Sequence, residues 1–292
     1  MIKVIASDMD GTLLGADHRI APRTLDAVHR AQESGIRFIL ATGRDFHGAV
    51  SALEGMELTC DYLVASGAQM RDREQKVVKR IDMDLNLCEE IYELLKPYPV
   101  TLIFNTDRYE YQIGTYEEVE RNSLTHMKLF FLNLSEEEIR QNPLYLSMSK
   151  RTKVVPDFRT LREEQVPVYK IMFFLEDTEE LARLKKKLDQ NPEIAVASSY
   201  PTNLEITNVQ AQKGPVLKEY IESLGYTMDE VMVFGDSMND YSMLSMDFGA
   251  TVAMGNADPG IKAAAKYITK SNTDFGVAYA IEELLKRQPS VG

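Results

Sequence analysis

The chain has 292 residues, and 45 acidic against 33 basic side chains leave a formal net charge of −12. That acidity argues against nucleic acid or an anionic membrane as the main partner, because a polyanion is repelled by a surface of like sign, and leaves room only for a local basic pocket. Hydrophobic residues at 44% and charged residues at 27% exclude wholesale disorder, and the length is enough for about two domains.

The first apolar run, Ile2 to Ser7, ends against Asp8 and reads as a buried strand. It is too short for the apolar region of a signal peptide. Pro22 suits a first helical turn, and Leu25, Val28 and Ala31 follow at helical spacing until Gly35 ends the segment. Ile36 to Ala41 is a second strand, Asp45 to Leu53 a short helix, and Tyr62 to Ala65 a third strand. Such β-α-β-α-β alternation is the pattern of a parallel sheet covered on both faces, joined by right-handed crossovers.

The rhythm then changes. Gln69 to about Ile81 reads as a hairpin, and Leu85 to Leu95 as an amphipathic helix stopped by Pro97. Val100 to Phe104 and Tyr109 to Ile113 are two strands around a polar turn, Asn105 to Arg108. A helix from Thr178 to Leu188 precedes strands at Ile194 to Ser199 and Leu204 to Thr207. The α/β rhythm returns with a helix from Pro215 to Leu224, strands at Val231 to Phe234 and Ala250 to Ala253, and closing helices. The economical reading is an α/β core, residues 1–83 and 207–292, interrupted by an inserted α+β domain over residues 84–206.

Several features call for no chemistry. Cys60 and Cys88 have no metal-ligand spacing and read as buried small hydrophobes, with a reducing cytoplasm as the expected compartment. His18, His29, His47 and His126 show no ligand spacing either. The 14 methionines fall largely in apolar runs and fill the core; Lys185 to Lys187 lie on the solvated face of a helix. No apolar stretch approaches the ~20 residues of a membrane span, and Ile171 to Leu175 is typical of the longest.

Ligands of open parallel sheets bind beyond the carboxyl ends of the strands, so the residues just after each strand carry the information. Strand one runs into Asp8-Met9-Asp10-Gly11-Thr12, strand two into Thr42-Gly43-Arg44, and Val231 to Phe234 into Gly235-Asp236-Ser237-Met238-Asn239-Asp240; Lys213-Gly214 precedes a helix. Asp8, Asp10, Asp236 and Asp240 would converge on one sheet edge, where like charges cannot share a small site unneutralised. A divalent cation is implied, and hard oxygen ligands make Mg²⁺ the natural choice. Metal, lysine, hydroxyl and a carboxylate nucleophile together describe phosphoryl transfer.

These residues, Asp8-x-Asp10-Gly11-Thr12, Thr42, Lys213 and Gly235-Asp236-x-x-Asn239-Asp240, resemble the four ordered motifs of the haloacid dehalogenase-like hydrolase superfamily. The large insert between the second and third motifs resembles its Cof-type phosphatases, whose cap is called C2B. Leu204-Glu205-Ile206 and Met254-Gly255-Asn256-Ala257 are also similar to that subfamily. Ser66-Gly67-Ala68 departs from a more usual Asn-Gly-Ala, and Asp274-Phe275-Gly276-Val277 from Asp-Gly-Val.

The resemblance implies a Rossmann-like core with Asp8 as nucleophile, forming an aspartyl-phosphate. Asp10 would protonate the departing alcohol and later take a proton from water. Mg²⁺ would be held by Asp8, the Asp10 backbone carbonyl and Asp236, with Asp240 in support. Thr42, Gly43, Lys213 and Asn239 would bind the phosphoryl oxygens, and Asn239 also stands near the ion; Arg44 is a candidate substrate contact. The insert would act as a lid, with the turn Asn105 to Arg108 and the strand edges near Tyr109 and Tyr111 reading the leaving group. The expected activity is hydrolysis of small phosphorylated metabolites, sugar phosphates first, with flavin or pyridoxal phosphates as other candidates. A sugar phosphomutase on the same core and a non-catalytic phospho-acceptor module are the alternatives. A regulator that has lost activity would not need the intact Asp10 and Lys213.

Overall fold

β1 (Val4–Ser7) is buried at every position, as an unbroken apolar run requires of a strand covered on both faces. The computed structural model that supplies this geometry describes residues 1–131 and 133–287. Leu132 and residues 288–292, which the expected domain ranges include, lie outside the described residues. Pro22 opens α1 (Pro22–Glu33), where its missing N–H costs nothing, and Ala27, Val28 and Ala31 turn inward. β2 (Arg37–Ala41) follows, and then α2 (Phe46–Ala52), whose cap Asp45 accepts the Gly48 N–H at 2.7 Å. β3 (Asp61–Val64) stops one residue earlier than the apolar run indicates. Ala65 and Ser66 take positive φ of 51° and 59°, which turns the chain out of the strand. β4 (Gln69–Arg71) and β5 (Val77–Arg80) complete the expected hairpin.

The insert opens with α3 (Leu85–Leu95), capped by Asp84, and β6 (Ile103–Asn105). The strand expected from Val100 begins only at Ile103, because Tyr98 and Val100 spend their N–H groups on Leu95 and Tyr98 carbonyls in a local turn. β7 (Glu110–Ile113) follows a turn in which the Thr106 hydroxyl accepts the Tyr109 N–H at 2.9 Å. The stretch that alternation alone left unassigned holds α4 (Tyr116–Phe130), α5 (Glu136–Gln141), α6 (Pro143–Arg151), β8 (Thr152–Val155), α7 (Phe158–Glu163) and β9 (Lys170–Phe174). Thr115 with Glu118, and Ser135 with Glu138, form reciprocal caps at the starts of α4 and α5. α8 (Thr178–Leu188), β10 (Ile194–Ala197) and β11 (Asn203–Asn208) finish a six-stranded sheet ordered β10-β11-β9-β6-β7-β8. Leu87, Ile91, Phe104, Phe158, Ile171, Phe173 and Leu184 pack into its core.

The remaining elements are α9 (Lys213–Ser223), β12 (Val231–Gly235), α10 (Tyr241–Leu244), β13 (Ala250–Ala253), α11 (Pro259–Ala264), β14 (Tyr267–Ile268) and α12 (Gly276–Arg287). They return to the first sheet, ordered β14-β13-β12-β1-β2-β3-β4-β5. All pairings from β14 to β3 are parallel, and β4 and β5 form an antiparallel edge. β1 pairs with β2 on one side and β12 on the other, Ser7 lying opposite both Leu40 and Phe234. The strand order therefore reverses between β1 and β12, and such a switch point opens a crevice at the strands' carboxyl ends. The chain divides into two compact units, one of Met1–Ile81, Ala197–Ser199 and Thr207 onward, the other of Asp82–Val196 and Tyr200–Ile206. Within the described residues, no helix is long and apolar enough to cross a membrane.

Candidate active site

Asp8 is the first residue beyond β1, 4% exposed, with its N–H donating to the Phe234 carbonyl at 3.0 Å. That bond fixes it beside β12. The chain then leaves the sheet through extended Asp10 (φ −80°, ψ 123°) and Gly11 at φ 77°. A Cβ on Gly11 would lie 2.4 Å from Asp236 Oδ2, so only glycine lets the β1 loop and the β12 loop approach so closely. Asn256 Nδ2 donates to the Gly11 carbonyl at 2.8 Å, and Asn272 Nδ2 to the Leu14 carbonyl at 2.9 Å. The Asn256 Oδ1 accepts the Asn272 N–H at 2.9 Å, so two asparagines tie this loop to the ends of β13 and β14.

Lys213 begins α9 with no exposed surface, and its Nζ donates to Asp8 Oδ1 and to Asp240 Oδ1, each at 2.6 Å. Burial opposes its charge, but Asp240 and Asp8 outweigh that and push its pKa above the ordinary lysine value. Asp240 Oδ2 accepts the Asp236 and Ser237 N–H groups at 2.9 and 3.2 Å, which folds the β12 loop around its own carboxylate. Gly235 permits this, since a Cβ there would lie 2.6 Å from Asp240 Cβ. Asp236 Oδ1 accepts the Thr12 hydroxyl at 2.6 Å.

Asp8, Asp236 and Asp240 each offer a carboxylate oxygen within 4.8 Å of the others, the one such grouping of potential metal ligands among the described residues. Burial first, and then the charge of Asp240, push the Asp8 pKa well above the usual carboxylate range; Lys213 works against them. The same two causes push Asp236 up to about 7, opposed by the Thr12 hydroxyl. Three ionised carboxylates against one ammonium would leave an excess of two negative charges out of water. A hard divalent cation is the counter-charge that this all-oxygen set fits, and Mg²⁺ belongs to that class.

The other expected site residues lie at the same sheet edge. Thr42, 1% exposed, follows β2, donates its N–H to the Leu63 carbonyl at 2.8 Å, and accepts the Arg44 N–H on its hydroxyl at 3.1 Å. Gly43 is half-buried between them. Asn239 is also half-buried, its Oδ1 accepting the Ser237 hydroxyl at 2.8 Å. The Asp10 carboxylate stands apart from the acidic cluster and is gripped by Arg44, Nε to Oδ2 at 2.8 Å and Nη2 to Oδ1 at 2.6 Å. The sequence offers Arg44 only as a candidate substrate contact and gives no sign of this pairing. It also gives no role to Thr12, Asn256 or Asn272, although each lies in or beside a quoted motif.

A model of the haloacid dehalogenase-like hydrolase family matches residues 5–281. The chain is 28% identical over 280 residues to YcsE of Bacillus subtilis, a 5-amino-6-(5-phospho-D-ribitylamino)uracil phosphatase, covering 96% of this chain and 94% of that protein. It is 26% identical over 281 residues to the pyridoxal phosphate phosphatase YbhA of Escherichia coli, covering 96% and 97%. The solved structure of a haloacid dehalogenase-like hydrolase from B. subtilis aligns with a TM-score of 0.83 at 27% identity, over 97% of this chain and 100% of that one. Family, fold and the strand-end carboxylates agree along almost the full length, and the chain belongs to the haloacid dehalogenase-like hydrolases.

Proposed function

We propose that this protein is a Mg²⁺-dependent phosphatase that hydrolyses small phosphate monoesters through an aspartyl-phosphate on Asp8. The observation that carries the reading is the buried Lys213 Nζ at 2.6 Å from Asp8 Oδ1, beside the carboxylates of Asp236 and Asp240. A lysine so placed holds one Asp8 oxygen and leaves the other to act as nucleophile.

In the first half-reaction Asp8 forms a bond to phosphorus as the ester P–O bond breaks, and Asp10 gives its proton to the departing oxygen. In the second, water attacks phosphorus, its proton passes to Asp10, and the Asp8 carboxylate is released. Both residues end as they began. Thr42, Gly43, Asn239 and Lys213 bind the phosphoryl oxygens through their donors, and Lys213 also orients Asp8. Asp8, Asp236 and the Asp10 carbonyl, with Asp240 in support, would hold Mg²⁺, which would supply positive charge for the phosphoryl oxygens. Asp240 supports the site by anchoring Lys213 and the Asp236 N–H.

The substrate class is small phosphorylated metabolites, with sugar phosphates foremost. Two relatives act on phosphorylated ribitylaminouracil and on pyridoxal phosphate, which supports a small organic ester. The test is phosphate release from 4-nitrophenyl phosphate. Asp8→Asn is expected to lower kcat by about 10³-fold or more, and EDTA to silence the wild type until Mg²⁺ is returned. Near wild-type release by Asp8→Asn overturns the nucleophile, and full activity in metal-free buffer overturns the metal. A screen of about a hundred phosphorylated metabolites, ranked by kcat/KM, then tests the substrate class.

A further inference from the structure

Asp10 sits on the loop leaving β1 with its side chain 34% exposed, and a carboxylate on two free torsions samples several rotamers unless something holds it. Arg44 holds it by both oxygens at once. The planar guanidinium meets Asp10 Oδ2 through Nε and Oδ1 through Nη2, at 2.8 and 2.6 Å. This fork geometry fixes direction as well as distance. Arg44 is itself anchored: its N–H donates to the Thr42 hydroxyl, its carbonyl accepts the Ala65 N–H at 2.7 Å, and Nη1 reaches the Gly48 carbonyl at 3.5 Å. The frame that holds the phosphate-binding Thr42 therefore also aims Asp10.

We propose that Arg44 is a positioning residue, whose fork holds the Asp10 carboxyl in the orientation from which a proton passes to the leaving oxygen and returns from water. The fork occupies one lone pair on each Asp10 oxygen and leaves the outer ones to carry that proton. This inference rests on the phosphatase reading, and in particular on Asp10 as the acid. Arg44 then acts through Asp10 on the leaving group, rather than through contact with the phosphate.

The experiment uses the full chain and a series of phenyl phosphates running from 4-nitrophenyl, whose phenolate departs without help, to unsubstituted phenyl, which needs a proton. Wild type, Asp10→Asn, Arg44→Ala, Arg44→Lys and the Asp10→Asn/Arg44→Ala double variant are compared by kcat/KM. Arg44→Ala is expected to raise the 4-nitrophenyl to phenyl ratio by about tenfold or more, as Asp10→Asn does. Arg44→Lys stays with the alanine variant, because one ammonium cannot reproduce a fork. The double variant matches Asp10→Asn, since the two residues act as a unit. A uniform fall across the series in the Arg44 variants, a ratio restored by lysine, or additive losses in the double variant overturns the positioning role alone. No change of ratio in Asp10→Asn overturns the acid assignment and this inference with it.

Discussion

At the scale of single residues, the site depends on burial making charge expensive and a few partners making it tolerable. Lys213 is the clearest case, since without Asp8 and Asp240 a fully buried ammonium would be discharged. His126 shows the reverse. It packs against Phe174 with ring centroids 4.6 Å apart, and burial lowers its pKa from 6.5 to about 4. The unfolded chain takes up a proton near pH 6.5 that the fold refuses until about pH 4, so native stability is full above 6.5 and falls as pH drops toward 4. The full loss is on the order of 3 kcal/mol. Urea unfolding from pH 4.5 to 7 is expected to show this slope in the wild type and a flatter one in His126→Gln; equal slopes would contradict it. Spacing shows no ligand role for His126 and gives no sign of its half-buried ring, because the Phe174 that packs on it lies on β9, far away in sequence.

Among the elements, the β1 loop brings the most chemistry into the least chain. Gly11→Ala forces a methyl to within 2.4 Å of Asp236 Oδ2 and strains a φ of 77°. The expected result is about 1–3 kcal/mol of lost stability and at least a hundredfold loss of kcat. Unchanged turnover of 4-nitrophenyl phosphate by that variant would show that the two loops need not stay in register. The strands and helices of the core were legible because apolar runs buried on both faces and terminal signals such as Pro22 act locally. Alternation alone does not reveal α4 to α7, although Thr115-x-x-Glu118 and Ser135-x-x-Glu138 mark two helix starts in the sequence itself. The late start of β6 was less readable, since only the folded turn shows where Tyr98 and Val100 send their N–H groups.

For the molecule as a whole, a site with surplus buried negative charge links cation binding to folding. A cation that binds the native site and not the unfolded chain stabilises by about 2.7 kcal/mol at a concentration 100 times its Kd. Millimolar Mg²⁺ is therefore expected to raise the unfolding midpoint measured by calorimetry, and Asp236→Asn to remove most of that rise. An equal rise in the variant would place the bound ion elsewhere on a chain of net charge −12.

The linear sequence was sufficient for the α/β core, for the order of its motifs, and for Asp8, Asp10, Thr42, Lys213 and Asp236 as residues at strand or helix ends. These follow from periodicity and turn chemistry, which act over a few residues. Only the tertiary structure decided the partners: Asp240 with Lys213, Thr12 with Asp236, Asn256 with Gly11, and Arg44 with Asp10. Each pair joins atoms separated by 27 to 245 positions or by a change of strand, and hydrogen-bond geometry at 3 Å is set by how loops meet in space, which no local pattern encodes.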